Sequence, residues 1–414
     1  MLPNPPKYSI IIPARNGGKY LPTCVDTIIS QDYCDYELII SDDHSDDGSK
    51  EYLASLSAHP NIMVIEPEEP LSMTEHWEWA LSHARGEWQI FVGQDDGLQP
   101  YFFRLADRLT EIAHTANFRT IMSERAYFFW KDCGFQYGDI AVGYTAKNVI
   151  KICNSRYESL KALFGLQAYF NLPEMYTTSL FHRDIINEAK MKQQGRLFVT
   201  HPQDANLAAV ACSLDSRYLM SFIPLGWVGS SLKSAGVAVL HKDPCLDEKE
   251  KNHQLDSLKK EYLEKIDKSK LEYNYLAGDF KLANVTIYFW QSLLQTRNLR
   301  GPLENRILTS KVFRVMLFCR VLNEINSSDY SDIRLPMFKE ILKRNQCSFF
   351  TINLGSKVSF LVAGIILLSS GVIQKIIRIL TNRINYTVYW SDDENMDMHK
   401  ASSQVNALIA QKKW

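Results

Sequence analysis

No two cysteines in this chain are spaced as Cys-x-x-Cys, and no cysteine–histidine grouping has the spacing of a zinc site. Cys24, Cys34, Cys133, Cys153, Cys212, Cys245, Cys319 and Cys347 are scattered, which speaks against a disulfide framework and for reduced thiols in a cytosolic protein. Charge of one sign is also lacking. Lys and Arg number 46 against 47 Asp and Glu, a formal net charge of −1, so no whole-protein attraction to nucleic acid is expected. There is no Gly-x-Gly-x-x-Gly after the first strand and no Gly-x4-Gly-Lys-Ser/Thr anywhere, which disfavours a dinucleotide fold and a P-loop enzyme. The start, Met1 to Lys7, is polar and proline-rich and has no apolar segment after it of the signal-peptide kind. Long apolar runs are missing with one exception, Val358 to Ile373 (VSFLVAGIILLSSGVI).

What is present is a large core-forming fraction, 46% hydrophobic in 414 residues, enough for two or three domains. Short β-branched runs alternate with amphipathic segments from the start. Tyr8–Ile12, Tyr36–Ser41, Asn61–Ile65 and Gln89–Val92 read as buried strands. Tyr20–Gln31, Lys50–Leu56 and Ser72–Ala84 read as helices between them. Four such alternations predict a parallel sheet with helices on both faces. Ligands in such sheets bind beyond the carboxyl ends of the strands. Three of those ends carry Pro13-Ala14-Arg15, Asp42-Asp43 and Gly93-Gln94-Asp95-Asp96-Gly97. A carboxylate pair at a strand end suits a hard divalent cation shared with phosphates. Turn chemistry alone also explains Asp-Asp-Gly, and helix capping explains Asp42 and Asp46.

The blocks IIPARNGGKYLPTCVDTIISQ, ELIISDDHSDDGS and ARGEWQIFVGQDDG, in this order and spacing, resemble the family 2 glycosyltransferases. EHWEWALSHARGEW is similar to a bacterial branch of that family concerned with surface polysaccharides. The likeness covers roughly the first hundred residues, and departs where Gln94 stands in a run that is often three aspartates. It implies an α/β GT-A domain, Rossmann-like, that takes a nucleotide-sugar donor, a UDP-sugar in the first instance. Pro13, Ala14 and Arg15 would lie against the nucleotide, Asp43 or Asp42 would accept from the base, and Asp95 would sit by the ribose or the metal. Asp96 would hold Mn²⁺ or Mg²⁺ against the diphosphate, where a cation neutralises charge on the leaving group.

Residues 100 to 200 are less legible. Tyr101–Ala113 reads as a helix with Phe102, Leu105, Leu109 and Ile112 on one face, and Thr120–Trp130 as a single strand with an aromatic end. Tyr127, Phe128, Phe129 and Trp130 are assigned to the core rather than to a sugar platform. In the stretch Val199-Thr200-His201-Pro202-Gln203-Asp204, Asp204 falls at a helix start. The resemblance implies that an acid at such a point is the catalytic base of an inverting displacement; Gln203 leaves Asp204 as the sole carboxylate. A helix-dipole role is the alternative for Asp204. His201 and Lys233 are weaker candidates for acceptor contact, and His241 for a further metal ligand.

The GT-A domain is placed at residues 1–240 and a helical extension at 241–350. Residues 351–414 form an apolar and basic segment ending in a polar tail from residue 391. Val358–Ile373 is sixteen residues without a charge, slightly short for a spanning helix, and no acid occurs between Thr351 and Trp390. Together with Lys375, Arg378 and Arg383, this suits an anionic membrane surface; a buried helix is the alternative. The expectation is a cytoplasmic enzyme, peripheral at the inner face of the membrane, that glycosylates a glycan or lipid-linked acceptor. Its rivals are a nucleotidyltransferase, for which Ala14-Arg15-Asn16-Gly17-Gly18-Lys19 is a poor phosphate loop, and a non-catalytic binding subunit that kept the fold.

Overall fold

A computed structural model describes residues 5–133, 140–145, 150–231, 234, 284–326, 331–357, 383–388 and 397–410. Lys233, His241, the charged stretch 247–270 and the apolar run 358–373 lie outside the described residues.

β1 (Tyr8–Ala14), β2 (Tyr36–Asp42), β3 (Ile62–Ile65) and β4 (Trp88–Phe91) pair in parallel in the order β3-β2-β1-β4. They are joined through α1 (Tyr20–Ile29), α2 (Ser49–Ser55) and α3 (Met73–Ser82). β1 and β2 are almost wholly buried because helices cover both faces, which is why their sequences read as unbroken apolar runs. α3 starts where Ser72 predicts: its side chain takes the Glu75 amide and Glu75 reaches back, a capping box.

Beyond β4 the sheet becomes mixed. β10 (Ser179–His182) runs antiparallel to both its neighbours, β4 and β6 (Thr120–Ser123); β11 (Arg217–Ser221) is parallel to β6, and β9 (Ile150–Asn154) is antiparallel to β11. A second sheet runs in the order β13-β8-β7-β12-β5, built from β5 (Gly97–Leu98), β7 (Ala126–Phe129), β8 (Ile140–Thr145), β12 (Gly226–Ser230) and β13 (Arg383–Val388). Thr120–Trp130 is therefore two strands in two sheets and not one. The chain leaves the first sheet at Glu124-Arg125, where the apolar pattern is interrupted. Phe128 is core, while Tyr127 and Phe129 stack with each other on the half-buried face, 6.2 Å between centroids.

The remaining helices of the first part are α4 (Phe102–Ala116), α5 (Ser155–Leu163), α6 (Arg183–Lys192) and α7 (Gln203–Leu214). The extension supplies α8 (Val285–Gln295), α9 (Pro302–Thr309), α10 (Lys311–Asn326) and α11 (Ser331–Arg344). Ala205, Ala208 and Ala209 make one side of α7 thin, and Ile287, Phe289 and Trp290 of α8 pack into the same core as those alanines. The extension thus bears on the helix that carries Asp204.

The expected polar tail contains α12 (Met398–Ala410). Met398, Ala401 and Val405 are buried in the core shared with α1 and β5, and Ser402 takes the Trp227 indole N–H at 2.8 Å. Only a thin stripe of apolar residues carries this contact, so the segment reads as polar by composition. Among the described residues, no helix is long and apolar enough to cross a membrane.

Candidate active site

The ends of β1, β2 and β4 meet as neighbouring parallel strands must. Arg15 pairs with Asp43 at 2.7 Å, and the other Asp43 oxygen accepts from the Leu71 amide at 3.0 Å. Asp42 is turned into its own loop, where it accepts from the Ser45 hydroxyl and, at 3.3 Å, the Ser45 amide. This is a turn within the loop and not the helix capping considered for Asp42: α2 begins at Ser49, preceded by Gly48, and no side chain caps it. Gln94 is bonded both ways to the main chain of Arg15: its Oε1 accepts from the amide at 2.9 Å and its Nε2 donates to the carbonyl at 3.1 Å. A carboxylate cannot make the second bond, so glutamine joins the β1 and β4 loops in a way aspartate would not. Ala14 is buried, and Pro13 and the Arg15 side chain remain partly open.

Asp95 and Asp96 point into different surroundings. Asp95 Oδ2 accepts from Ser231 at 2.7 Å and from Ser234, and its carbonyl takes the Trp130 indole N–H at 2.8 Å. Asp96 is bound on both oxygens. Oδ1 accepts from the Gly229 amide at 2.6 Å; Oδ2 accepts from Thr177 Oγ1 at 2.6 Å and the Gly93 amide at 3.0 Å, and the Tyr176 hydroxyl donates to the carboxylate as well. Gly93 and Gly229 are required by this crowding: a Cβ at Gly93 would meet the Tyr176 hydroxyl, and one at Gly229 the Asp95 carbonyl. Met175 and Thr177 have positive φ (49° and 31°), strained values for side-chain-bearing residues, in the loop that delivers Tyr176 and Thr177 to Asp96.

Burial raises the proton affinity of both carboxylates; Asp96 is pushed up to about 6 by burial first and by the charge of Asp95 second. Two buried acids in this condition are what a divalent cation relieves. The fit is through Asp95, because Asp96 is already engaged on both oxygens. Among the described residues no group of three His, Cys, Asp or Glu side chains forms a ready-made metal cage. A divalent cation held there would have to bring phosphate oxygens and water with it.

Asp204 lies in the first turn of α7, as expected. Its Oδ1 accepts from the Ala205 amide at 2.7 Å and its Oδ2 from the Tyr169 hydroxyl at 3.0 Å. Burial raises its proton affinity, and Tyr169 and the Arg125 charge work against that rise. His201 precedes it, with a ring held neutral by burial, its pKa lowered to about 4. Gln203 is turned away, its Nε2 on Thr74 Oγ1 at 2.8 Å. Glu174, 1% exposed, pairs with Arg125, and Asp204 and Asp96 are both near enough to raise its own proton affinity.

Residues 9–131 match the sequence model of Glycosyl transferase family 2. The chain carries a family 2 glycosyltransferase domain. Glycosyltransferase GlyG of Streptococcus pneumoniae serotype 4 is 34% identical over 89 residues, 21% of this chain and 30% of that protein. A PGL/p-HBAD biosynthesis glycosyltransferase of Mycobacterium bovis BCG is 32% identical over 111 residues, 26% of this chain and 41% of that protein. The match therefore spans less than half the length of either relative. The crystal structure of S. aureus TarS 1–349 in complex with UDP aligns with 82% of this chain and 88% of its own, at 14% identity and a TM-score of 0.43.

The fold is the α/β GT-A arrangement with a helical C-terminal region. Several side chains at the site carry no sequence signal. Arg125 hides beside an aromatic run, Glu174 in a proline-flanked loop, and Tyr176 and Thr177 look like ordinary loop residues. Each owes its position to a partner far away in the chain.

Proposed function

We propose that this protein is an inverting glycosyltransferase that moves a sugar from a nucleotide-sugar donor to an acceptor hydroxyl. The supporting observation is that the strand-end acids and the acid at the head of α7 converge on one region: Asp96, beside Asp95, and Asp204 are both near enough to Glu174 to raise its proton affinity. Arg15, Asp43 and the adjoining strand ends are the donor's nucleotide side. Asp204 takes the proton of the acceptor hydroxyl as that oxygen attacks the anomeric carbon. Its burial gives it a greater proton affinity than an exposed carboxylate, which suits a general base. A single displacement from the face opposite the leaving group inverts the anomeric centre. When bound at Asp95, Mn²⁺ or Mg²⁺ supplies charge neutralisation for the leaving diphosphate.

Calorimetry with UDP, GDP, CDP and dTDP, with and without Mn²⁺, tests the donor side. One nucleotide, UDP first among them, is expected to bind in a metal-dependent way, and Asp95→Ala to weaken that binding at least about tenfold, as for a lost charge–ligand contact. Folded protein that binds none of the four would favour a non-catalytic role.

The acceptor is proposed to be a glycan or lipid-linked glycan of surface polysaccharide or glycolipid assembly, met at the inner face of the membrane. Leu303, Ile307, Val312 and Met316 are exposed in pairs one helical turn apart, interspersed with Arg306, Lys311 and Arg314. This supports peripheral attachment to an anionic surface. The protein should float with phosphatidylglycerol vesicles and less so in high salt; a protein that stays at the bottom of the gradient removes the membrane from the reading.

A further inference from the structure

The head of α7 is furnished from elements that the sequence gives no reason to connect. Tyr169 belongs to a single helical turn, Tyr169–Asn171, and its hydroxyl donates to Asp204 Oδ2 at 3.0 Å. The turn is gripped from its other side. Arg125 Nε donates to the Phe170 carbonyl at 2.8 Å, and the guanidinium lies over the Phe170 ring, 5.1 Å from its centroid. Glu174 holds the guanidinium in turn with Oε1, while its Oε2 is sealed from solvent with no hydrogen-bond partner.

A buried ion pair with an unpartnered oxygen is a poor way to stabilise a fold, since desolvation is not fully repaid. It does fix geometry. Arg125 presents a rigid planar fork to one carbonyl and one carboxylate.

We propose that Tyr169 is the positioning residue of Asp204, and that the Arg125–Glu174 pair holds Tyr169 in place through the main chain of Phe170. The catalytic consequence rests on reading Asp204 as the general base; the positioning itself does not. With Oδ1 held by the Ala205 amide and Oδ2 by Tyr169, the carboxylate plane is fixed before an acceptor arrives. A base so aligned need not be oriented during the reaction. Burial keeps the Tyr169 phenol protonated well above its ordinary range, so it is a standing donor.

The titratable and charged groups around Asp204 are Tyr169, Arg125 and Glu174, His201 in the preceding bend, and Tyr288 of α8 with Arg334 behind it. A bond donated to a carboxylate favours its charged form. Losing the Tyr169 bond must therefore move Asp204 titration upward.

The test follows the Asp204 carboxyl directly, by infrared difference spectroscopy on protein labelled with ¹³C at aspartate side chains, with Asp204→Asn identifying its band. Tyr169→Phe is expected to raise the titration midpoint. Arg125→Lys, which keeps the charge and loses the fork, is expected to raise it too. The double variant should go no further than Tyr169→Phe alone, because both act through one hydroxyl. In parallel, UDP release is followed from UDP-glucose, UDP-galactose and UDP-N-acetylglucosamine with water as acceptor. There Tyr169→Phe should lower kcat about tenfold with KM little changed, and shift the acid limb of the profile to higher pH. An unmoved midpoint in Tyr169→Phe overturns the proposal even in an active enzyme. A moved midpoint without turnover of any donor leaves the positioning standing and counts against the transferase reading.

Discussion

Asp204→Asn is expected to lower turnover of the bound nucleotide-sugar at least about a hundredfold, the contribution of a placed general base, and to leave nucleotide binding unchanged. Asparagine has the shape of aspartate, and its carbonyl oxygen can still accept from the Ala205 amide or the Tyr169 hydroxyl. The fold has little reason to respond: the loss of a negative charge in the first turn of α7 costs about 0.3–1 kcal/mol. What disappears is the capacity to take a proton. Glu174 is no substitute, because its one free oxygen is closed off from solvent and the other is spent on Arg125. His201 is held neutral and could in principle accept a proton, so His201→Gln is the control and should retain most of the rate. Steady-state product release and calorimetry on the same preparations give the answer. A loss of less than about threefold in Asp204→Asn, below any placed base, would move the base elsewhere.

The parallel half of the fold was open to reading because its strands are buried on both faces and its helices carry one apolar stripe each. Periodicity reports such simple environments well. It also brought Arg15, Asp43 and the Asp95-Asp96 turn to one edge, since adjacent parallel strands end together. The division of labour inside that turn was not legible. Two consecutive aspartates look alike in a sequence, yet Asp96 is consumed by Gly93, Thr177, Tyr176 and Gly229, from positions up to 133 residues away. Gln94 looks like a lost carboxylate and is instead an amide bridge to Arg15, 79 residues back. The same applies to Arg125 and Glu174, 49 residues apart, whose chemistry exists only as a pair. Side chains that act through distant partners leave no period to find, and Thr120–Trp130 was misread for a related reason: a strand that changes sheet keeps its composition.

Ala401→Asp should destabilise the protein by about 3 kcal/mol or more, the range for a charge forced into a sealed apolar site. For a chain of 414 residues that is roughly 3–4 °C in Tm or more. Ala401 is fully buried with Met398 and Val405 on the docked face of α12, so a carboxylate there leaves water entirely unless the helix leaves. If α12 leaves, the Trp227 indole N–H loses Ser402 and stands unsatisfied in the core, a further cost of about 1–3 kcal/mol. The effect then reaches the donor site by a short route. Met398 lies directly under Gly97, the residue after Asp96, and Trp227 stands two residues before Gly229, whose amide holds Asp96. Nucleotide binding is therefore expected to weaken together with stability, although residue 401 is no part of the site. Ser403→Asp, one residue along from Ser402 and exposed, should stay within about 0.5 kcal/mol of the parent. Equal melting of the two variants would mean that α12 does not dock in solution. A fall in stability with nucleotide binding intact would mean that the turn carrying Asp95 and Asp96 keeps its shape without the support of α12.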